Sequence, residues 1–135
     1  MEIQYKYKLS IIPKPTPRPR LGRYGTYNKK EYTKYKNDLM ILIKSLRIPK
    51  KDYSSVRACF LFPYPKRTPQ KKRIHLAPLR NKCDLDNLVK GLLDALEKVE
   101  VINNDRQIFS LQIEKRFTVR EQGAILFDFG NNVDK

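Results

Sequence analysis

From Leu85 to Val99 the apolar residues Leu85, Leu88, Val89, Leu92, Leu93, Leu96 and Val99 recur three and four apart. That spacing puts them on one side of an α-helix. A face this wide has to be buried, so the stretch predicts a central helix over about residues 86–99 and requires other elements to cover it. Residues 3–11 alternate strictly, with Ile3, Tyr5, Tyr7, Leu9 and Ile11 against Gln4, Lys6, Lys8 and Ser10, the period of a half-buried strand. Pro13, Pro15, Pro17 and Pro19 stop it. Between Lys29 and Leu46, Tyr32, Tyr35, Leu39, Leu42 and Leu46 form the apolar stripe of a first helix. Val56, Ala58, Phe60 and Phe62 alternate with Arg57, Cys59 and Leu61 until Pro63 and Pro65 end that strand. Phe109, Leu111, Ile113, Phe117 and Val119 fall on one side of a third strand, and Gly123 separates it from Ile125, Phe127 and Phe129. These last two strands are expected to form a hairpin. The expected fold is α+β, a single mixed β-sheet of about four strands with two helices packed on it. At 135 residues the chain reads as one domain, residues 1–135.

The cations are placed unevenly. Residues 1–82 carry 22 Lys and Arg against four acids, whereas residues 83–135 carry seven against ten, so the net charge of +15 comes from the first part. Two segments hold no acid at all: residues 13–30, with Lys14, Arg18, Arg20, Arg23, Lys29 and Lys30, and residues 64–82, with Lys66, Arg67, Lys71, Lys72, Arg73, Arg80 and Lys82. Both are rich in proline and other turn residues, so they are expected to be loops that present cations to a polyanion. Neutralising phosphates releases counterions, so such a surface suits nucleic acid bound with little sequence preference. The alternative is that the cations only keep the chain in solution or touch an acidic membrane surface. No apolar run approaches the ~20 residues needed to span a bilayer. The first residues lack a basic region followed by an apolar stretch, so a cytoplasmic, non-membrane protein is expected. Cys59, Cys83 and His75 are one ligand short of a four-ligand zinc site, and both thiols are expected to be free. With a single histidine, hydrolytic chemistry falls to carboxylates and a hard metal ion.

Candidate carboxylates lie where the acid-free stretch ends. Asp84 and Asp86 open the second helix and Lys90 follows one turn later, in Asp84-Leu-Asp-Asn-Leu-Val-Lys90. Phosphodiester hydrolysis uses Mg²⁺ to activate water and offset charge on phosphorus, and hard cations take oxygen ligands. Asp105 is a third candidate, provided the strand after it runs back along the helix and the turn carries it to the helix start. Each residue has a structural alternative. An Asp caps a helix N-terminus, Lys90 is spaced for ordinary i,i+4 pairs with Asp86 and Asp94, and Asp105 in Asn103-Asn104-Asp105 suits a turn. His75 reads as a solvated loop residue. Tyr24 and Tyr27 suit stacking on unpaired bases and anchoring of their loop equally well.

Asp84-Leu-Asp-Asn-Leu-Val-Lys90, then Asp94-Ala-Leu96, then Val101-Ile102-Asn-Asn-Asp105 resembles the central signature of the RusA family of Holliday junction resolvases. The Pro-rich basic stretch ending at Arg20 is similar to phage-type members. The resemblance implies a homodimeric, Mg²⁺-dependent endodeoxyribonuclease, with Mn²⁺ as the alternative metal, that makes paired nicks in four-way DNA junctions. It implies metal ligation by Asp84, Asp86 and Asp105 and an essential role for Lys90 near the scissile phosphate or the metal-bound water. The charge pattern of the two acid-free loops, for its part, leads to phosphate contacts from Lys14, Arg18, Arg20, Arg23, Lys66, Arg67, Lys71, Lys72, Arg73, Arg80 and Lys82. Two positions depart from the family pattern: Asn104 stands where a second acid usually precedes the last ligand, and Glu100 where a glycine is common after the helix. Two other functions compete with this one, a basic nucleic-acid binder without catalysis and a metal-dependent nuclease for flaps or forks.

Overall fold

The structure, a computed structural model, describes residues 5–16, 29–80, 83–120 and 122–130. Its elements are β1 (Tyr7–Leu9), α1 (Lys29–Leu46), β2 (Ser55–Pro63), α2 (Leu85–Lys98), β3 (Ser110–Thr118) and β4 (Ala124–Gly130). Short 3₁₀ turns lie at Gln70–Lys72 and Asp105–Gln107. The four strands make one mixed sheet in the order β1-β4-β2-β3, the α+β architecture expected.

Both helices lie on one face of the sheet. Tyr35, Leu39 and Ile43 from α1, and Leu88, Val89, Leu92, Ala95 and Leu96 from α2, share a core with Val56, Ala58, Phe60 and Phe62 of β2 and with Ile125 and Phe127 of β4. Each fully buried Leu or Phe contributes about 1.5–3 kcal/mol, so the apolar stripe of α2 fixes that helix on the sheet. Ile43, absent from the stripe expected for α1, is buried as well. On the opposite face Cys59, Leu61 and Ala124 form a smaller cluster with Tyr5, Leu76 and Leu126. Burial pushes the Cys59 thiol up to about 12 and, with its neighbour's charge, the Tyr5 hydroxyl up to about 12. β2 is therefore covered on both faces, as its nearly unbroken apolar run requires.

The expected hairpin is corrected. β3 pairs with β2 in parallel, Ser55 opposite Ser110 through Pro63 opposite Thr118, and α2 is the crossover between them. β4 inserts antiparallel between β1 and β2, with Phe127 opposite Ala58 and Tyr7. The β3–β4 connection thus crosses the end of β2 instead of turning back on its own strand. Gly123 makes this crossing fit: a Cβ there would lie 2.6 Å from the Leu61 carbonyl oxygen and 3.2 Å from the Cα of Ile12. The glycine that reads as hairpin punctuation serves a close backbone approach. A second expectation is also revised. Ile113 and Phe117 reach the core, but Phe109, Leu111 and Val119 are exposed, at 69%, 45% and 45%. β3 is an edge strand, and Phe109 and Val119 lie just beyond its two ends.

α2 ends in a Schellman arrangement. The Glu100 N–H donates to the Glu97 carbonyl at 3.0 Å and the Val101 N–H to the Leu96 carbonyl at 2.9 Å, with Glu100 at φ 66°. This is the left-handed position that glycine normally fills. The helix exit therefore keeps its usual shape at Glu100, at the cost of local strain. Replacing Glu100 by Gly is expected to stabilise the chain by about 1 kcal/mol, read as a raised urea midpoint with unchanged slope. An unchanged or lowered midpoint would show that Glu100 carries no strain.

Candidate active site

Asp84 occupies the N-cap position of α2, with φ −78° and ψ 142°, yet its side chain makes no capping hydrogen bond. Asp86 sits in the first turn, exposed, and its Oδ1 accepts from the N–H of Asn87 at 3.0 Å. Two carboxylates therefore stand together at the start of the helix, and the capping role that would explain one of them is not exercised by Asp84. Lys90 is exposed and, among the described residues, makes no ion pair within 4.0 Å. Its anticipated partner Asp94 faces α1 instead, with an oxygen 3.9 Å from Lys36 Nζ. Desolvation, followed by the neighbouring Lys98 charge, lowers the Lys36 pKa, while Asp94 works against the shift. Asp86, Lys90, Leu93 and Glu97 are spaced three or four apart and so share one stripe of α2.

Asp105 opens the 3₁₀ turn that follows α2, and the turn is held independently of it. Asn104 Oδ1 accepts from the Arg106 N–H at 2.9 Å. Gln107 Oε1 accepts from the Asn103 N–H at 2.8 Å, and Gln107 Nε2 donates to the Tyr53 carbonyl at 3.0 Å. Asn104, where an acid is usual, thus caps the turn that presents Asp105. The Asp105 carboxylate is exposed and makes no side-chain hydrogen bond or ion pair among the described residues.

The structure does not bring Asp105 to the other two within one chain. The strand after residue 105 does run back along α2, but Asp105 precedes that strand. Its turn abuts Tyr53, and the Phe109 N–H donates to the Ser54 carbonyl at 2.9 Å, so it lies by the start of β2. The residue that reaches the start of α2 is Lys115, whose Nζ donates to the Cys83 carbonyl. Asp84 and Asp105 thus flank opposite ends of a 14-residue helix about 21 Å long. Among the described residues no group of three or more His, Cys, Asp or Glu is placed to hold a metal ion. Lys115 was not anticipated from the sequence. Its one signal is that it interrupts the apolar side of β3 between Ile113 and Phe117.

The second basic segment is a built loop. Tyr64 stacks on Phe117 with ring centroids 4.3 Å apart, and its hydroxyl donates to the Ile74 carbonyl at 2.7 Å and accepts from the Ile74 N–H at 3.0 Å. The Arg73 guanidinium donates to the carbonyls of Thr68, Pro65 and Lys66 at 3.0, 3.2 and 3.2 Å, so this cation shapes the loop from inside. Lys66, Arg67, Lys71, Lys72 and Arg80 are exposed. His75, also exposed, accepts from the Val119 N–H through Nδ1 at 3.4 Å. In the first segment Lys14 lies 3.7 Å from Glu31. Arg18, Arg20, Arg23, Tyr24, Tyr27 and Lys82 lie outside the described residues. No helix among the described residues is long and apolar enough to cross a membrane.

The chain is similar to the curated protein named Crossover junction endodeoxyribonuclease RusA from Aquifex aeolicus (strain VF5), with 39% identity over 51 residues. That stretch covers 38% of this chain and 40% of the relative. The sequence profile of the family described as Endodeoxyribonuclease RusA matches residues 10–125. This span takes in β2, β3, both helices, the basic loop and the turn bearing Asp105, and the chain belongs to that family.

Proposed function

We propose that this chain is a structure-specific endodeoxyribonuclease that resolves four-way DNA junctions by paired nicks. It acts as a homodimer and uses Mg²⁺ or Mn²⁺. The observation that carries this is the pair of carboxylates Asp84 and Asp86 side by side at the start of α2, one at the N-cap position and one in the first turn. Family membership adds the reaction class, and the basic loop from Tyr64 to Arg80 adds a polyanion surface. The oxygen donors suit a hard cation, but among the described residues one chain supplies only two carboxylates at that place. We assign the third to Asp105 of a second copy. In a two-fold dimer each copy then lends its Asp105 to the other, which yields two identical sites. A four-way junction has two equivalent strands to cut, and the symmetry matches.

A divalent ion held by Asp84, Asp86 and Asp105 supplies charge neutralisation at phosphorus and a more acidic water. The chain's own residues do the rest. Lys90, one turn beyond Asp86, offsets negative charge on the phosphate in the transition state. Lys66, Arg67, Lys71 and Lys72 hold backbone phosphates and set the direction of the strand. Selectivity for junctions comes from shape and arm angle, since these contacts carry no base information. The test is incubation with a labelled immobile four-way junction. Symmetric paired nicks are expected with Mg²⁺, none with EDTA, and none on linear duplex. Binding without cleavage in either metal would leave a non-catalytic DNA binder, and cutting of flaps or forks but not junctions would leave the other nuclease.

A further inference from the structure

The basic loop after β2 carries one side chain that its charge does not explain. Ile74 is 66% exposed in the middle of residues 64–82, which hold seven Lys and Arg and no acid. A single exposed isoleucine is ordinary, and Ile41 on α1 is exposed to the same degree, 65%. What sets Ile74 apart is how firmly its backbone is held. The Tyr64 hydroxyl bonds both its N–H and its carbonyl, and the Tyr64 ring is stacked on Phe117. The Ala77 N–H donates back to the Ile74 carbonyl at 3.3 Å, closing a turn over residues 74–77. Leu76 stands in that turn at φ 68°, a left-handed conformation that costs a residue with a Cβ about 1–2 kcal/mol. Bonds to β3 hold the turn in this shape. The Leu76 N–H donates to the Phe117 carbonyl at 2.8 Å, the Phe117 N–H to the Ala77 carbonyl at 2.9 Å, and Arg116 Nη1 to the Leu76 carbonyl at 2.8 Å. The Leu76 side chain packs on Cys59, Leu61 and Ala124. An apolar side chain is thus fixed in water at the head of a braced turn.

We infer that Ile74 is a wedge that enters the base stack at the branch point of a bound four-way junction. This rests on the junction-resolving reading given above and adds to it a residue that sets specificity. Lys66, Arg67, Lys71 and Lys72 lie exposed in the same loop, and His75, next to Ile74, accepts from the Val119 N–H through Nδ1, which leaves its Nε2 as the ring's donor. Cations that hold phosphates around an apolar side chain are the arrangement by which proteins part a base step. The turn also stands at the end of the sheet where the carboxylates lie. The Leu79 N–H pairs with the Lys115 carbonyl at 3.3 Å, two residues or about 7 Å along β3 from Phe117, and Lys115 Nζ bonds the Cys83 carbonyl next to Asp84. Parting a step is costly inside a duplex and least so where pairing or stacking is already interrupted. A branch point is such a place. The same side chain therefore favours a junction over a linear duplex, in addition to the selection by arm angle.

An immobile junction with 2-aminopurine beside the branch point reports unstacking as a rise in fluorescence. With Mg²⁺ and the Asp86→Asn chain, which keeps its substrate whole, the fluorescence should rise on binding. Adding Ile74→Ala should remove most of that rise and leave far-ultraviolet circular dichroism and the urea midpoint unaltered, since Ile74 faces solvent. Affinity for the junction relative to linear duplex should fall about tenfold, with an unchanged salt slope because no cation is lost. Ile74→Leu, which keeps an apolar wedge, should retain both the rise and the preference, and so should Ile41→Ala. A full rise with Ile74→Ala overturns the wedge. So does a loss of junction and duplex affinity in equal measure, which would make Ile74 an ordinary contact. If the unsubstituted chain cuts junctions in pairs but Asp86→Asn brings no rise, the wedge is wrong and the resolvase stands. A chain that binds junctions no better than linear duplex overturns the junction reading itself.

Discussion

Asp86→Asn abolishes junction cleavage and leaves junction binding intact or tighter. The substitution keeps the oxygen that accepts the Asn87 N–H, so the first turn of α2 is unaltered. It removes one negative charge from the place where phosphate and cation must meet. If that charge secures about 4 kcal/mol of transition-state stabilisation through the metal, the rate falls about 1,000-fold. Binding moves the other way, because a carboxylate beside phosphate repels it. A gel-shift titration of the junction alongside single-turnover cleavage separates the two effects. Loss of binding in step with cleavage would make Asp86 a structural residue.

Gly123→Ala is expected to lower stability markedly, and more than Gly91→Ala. The new Cβ would fall 2.6 Å from the Leu61 carbonyl oxygen, a backbone atom of the central strand that cannot rotate away. Relief requires β4, β2 or the segment at Ile12 to shift, at about 1–3 kcal/mol. The urea midpoint should fall with an unchanged slope. Gly91→Ala is a milder comparison, since its Cβ would meet the Tyr32 hydroxyl at 3.0 Å, the end of a side chain able to move. Equal midpoints for Gly123→Ala and the parent would mean that the crossing over β2 is looser than described.

The periodicity of the sequence was enough for α1, α2 and β2, because each buries a long stripe or run whose spacing is set by the element itself. Topology was not legible in the same way. Gly123 between two alternating runs is equally compatible with a tight turn and with a chain crossing over a neighbouring strand. Only the competition for the edges of β2 decides between them. The exposure of Phe109 and Leu111 is also invisible to alternation, which reports a shared face and not whether a helix covers it. The placement of Asp84, Asp86 and Lys90 on the first turns of α2 was legible because helical spacing sets it locally. The position of Asp105 depended on which end of β3 returns to the helix start. Lys115 and Arg73 were outside the reach of pattern, since a lysine bonded to one carbonyl and an arginine bonded to three look in sequence like any other surface cation.

The proposed sharing of each catalytic centre's carboxylates between two copies of the chain is open to direct measurement. It is tested by mixing Asp86→Asn with Asp105→Asn subunits, each inactive alone, after unfolding and refolding together. A shared site places both defects in one centre of the mixed dimer and leaves the other intact. The mixture should then nick one strand of the labelled junction in the presence of Mg²⁺, without paired cuts. If the three carboxylates act within one chain, every centre in the mixture carries a defect, and a mixture as inactive as its two components would contradict the account.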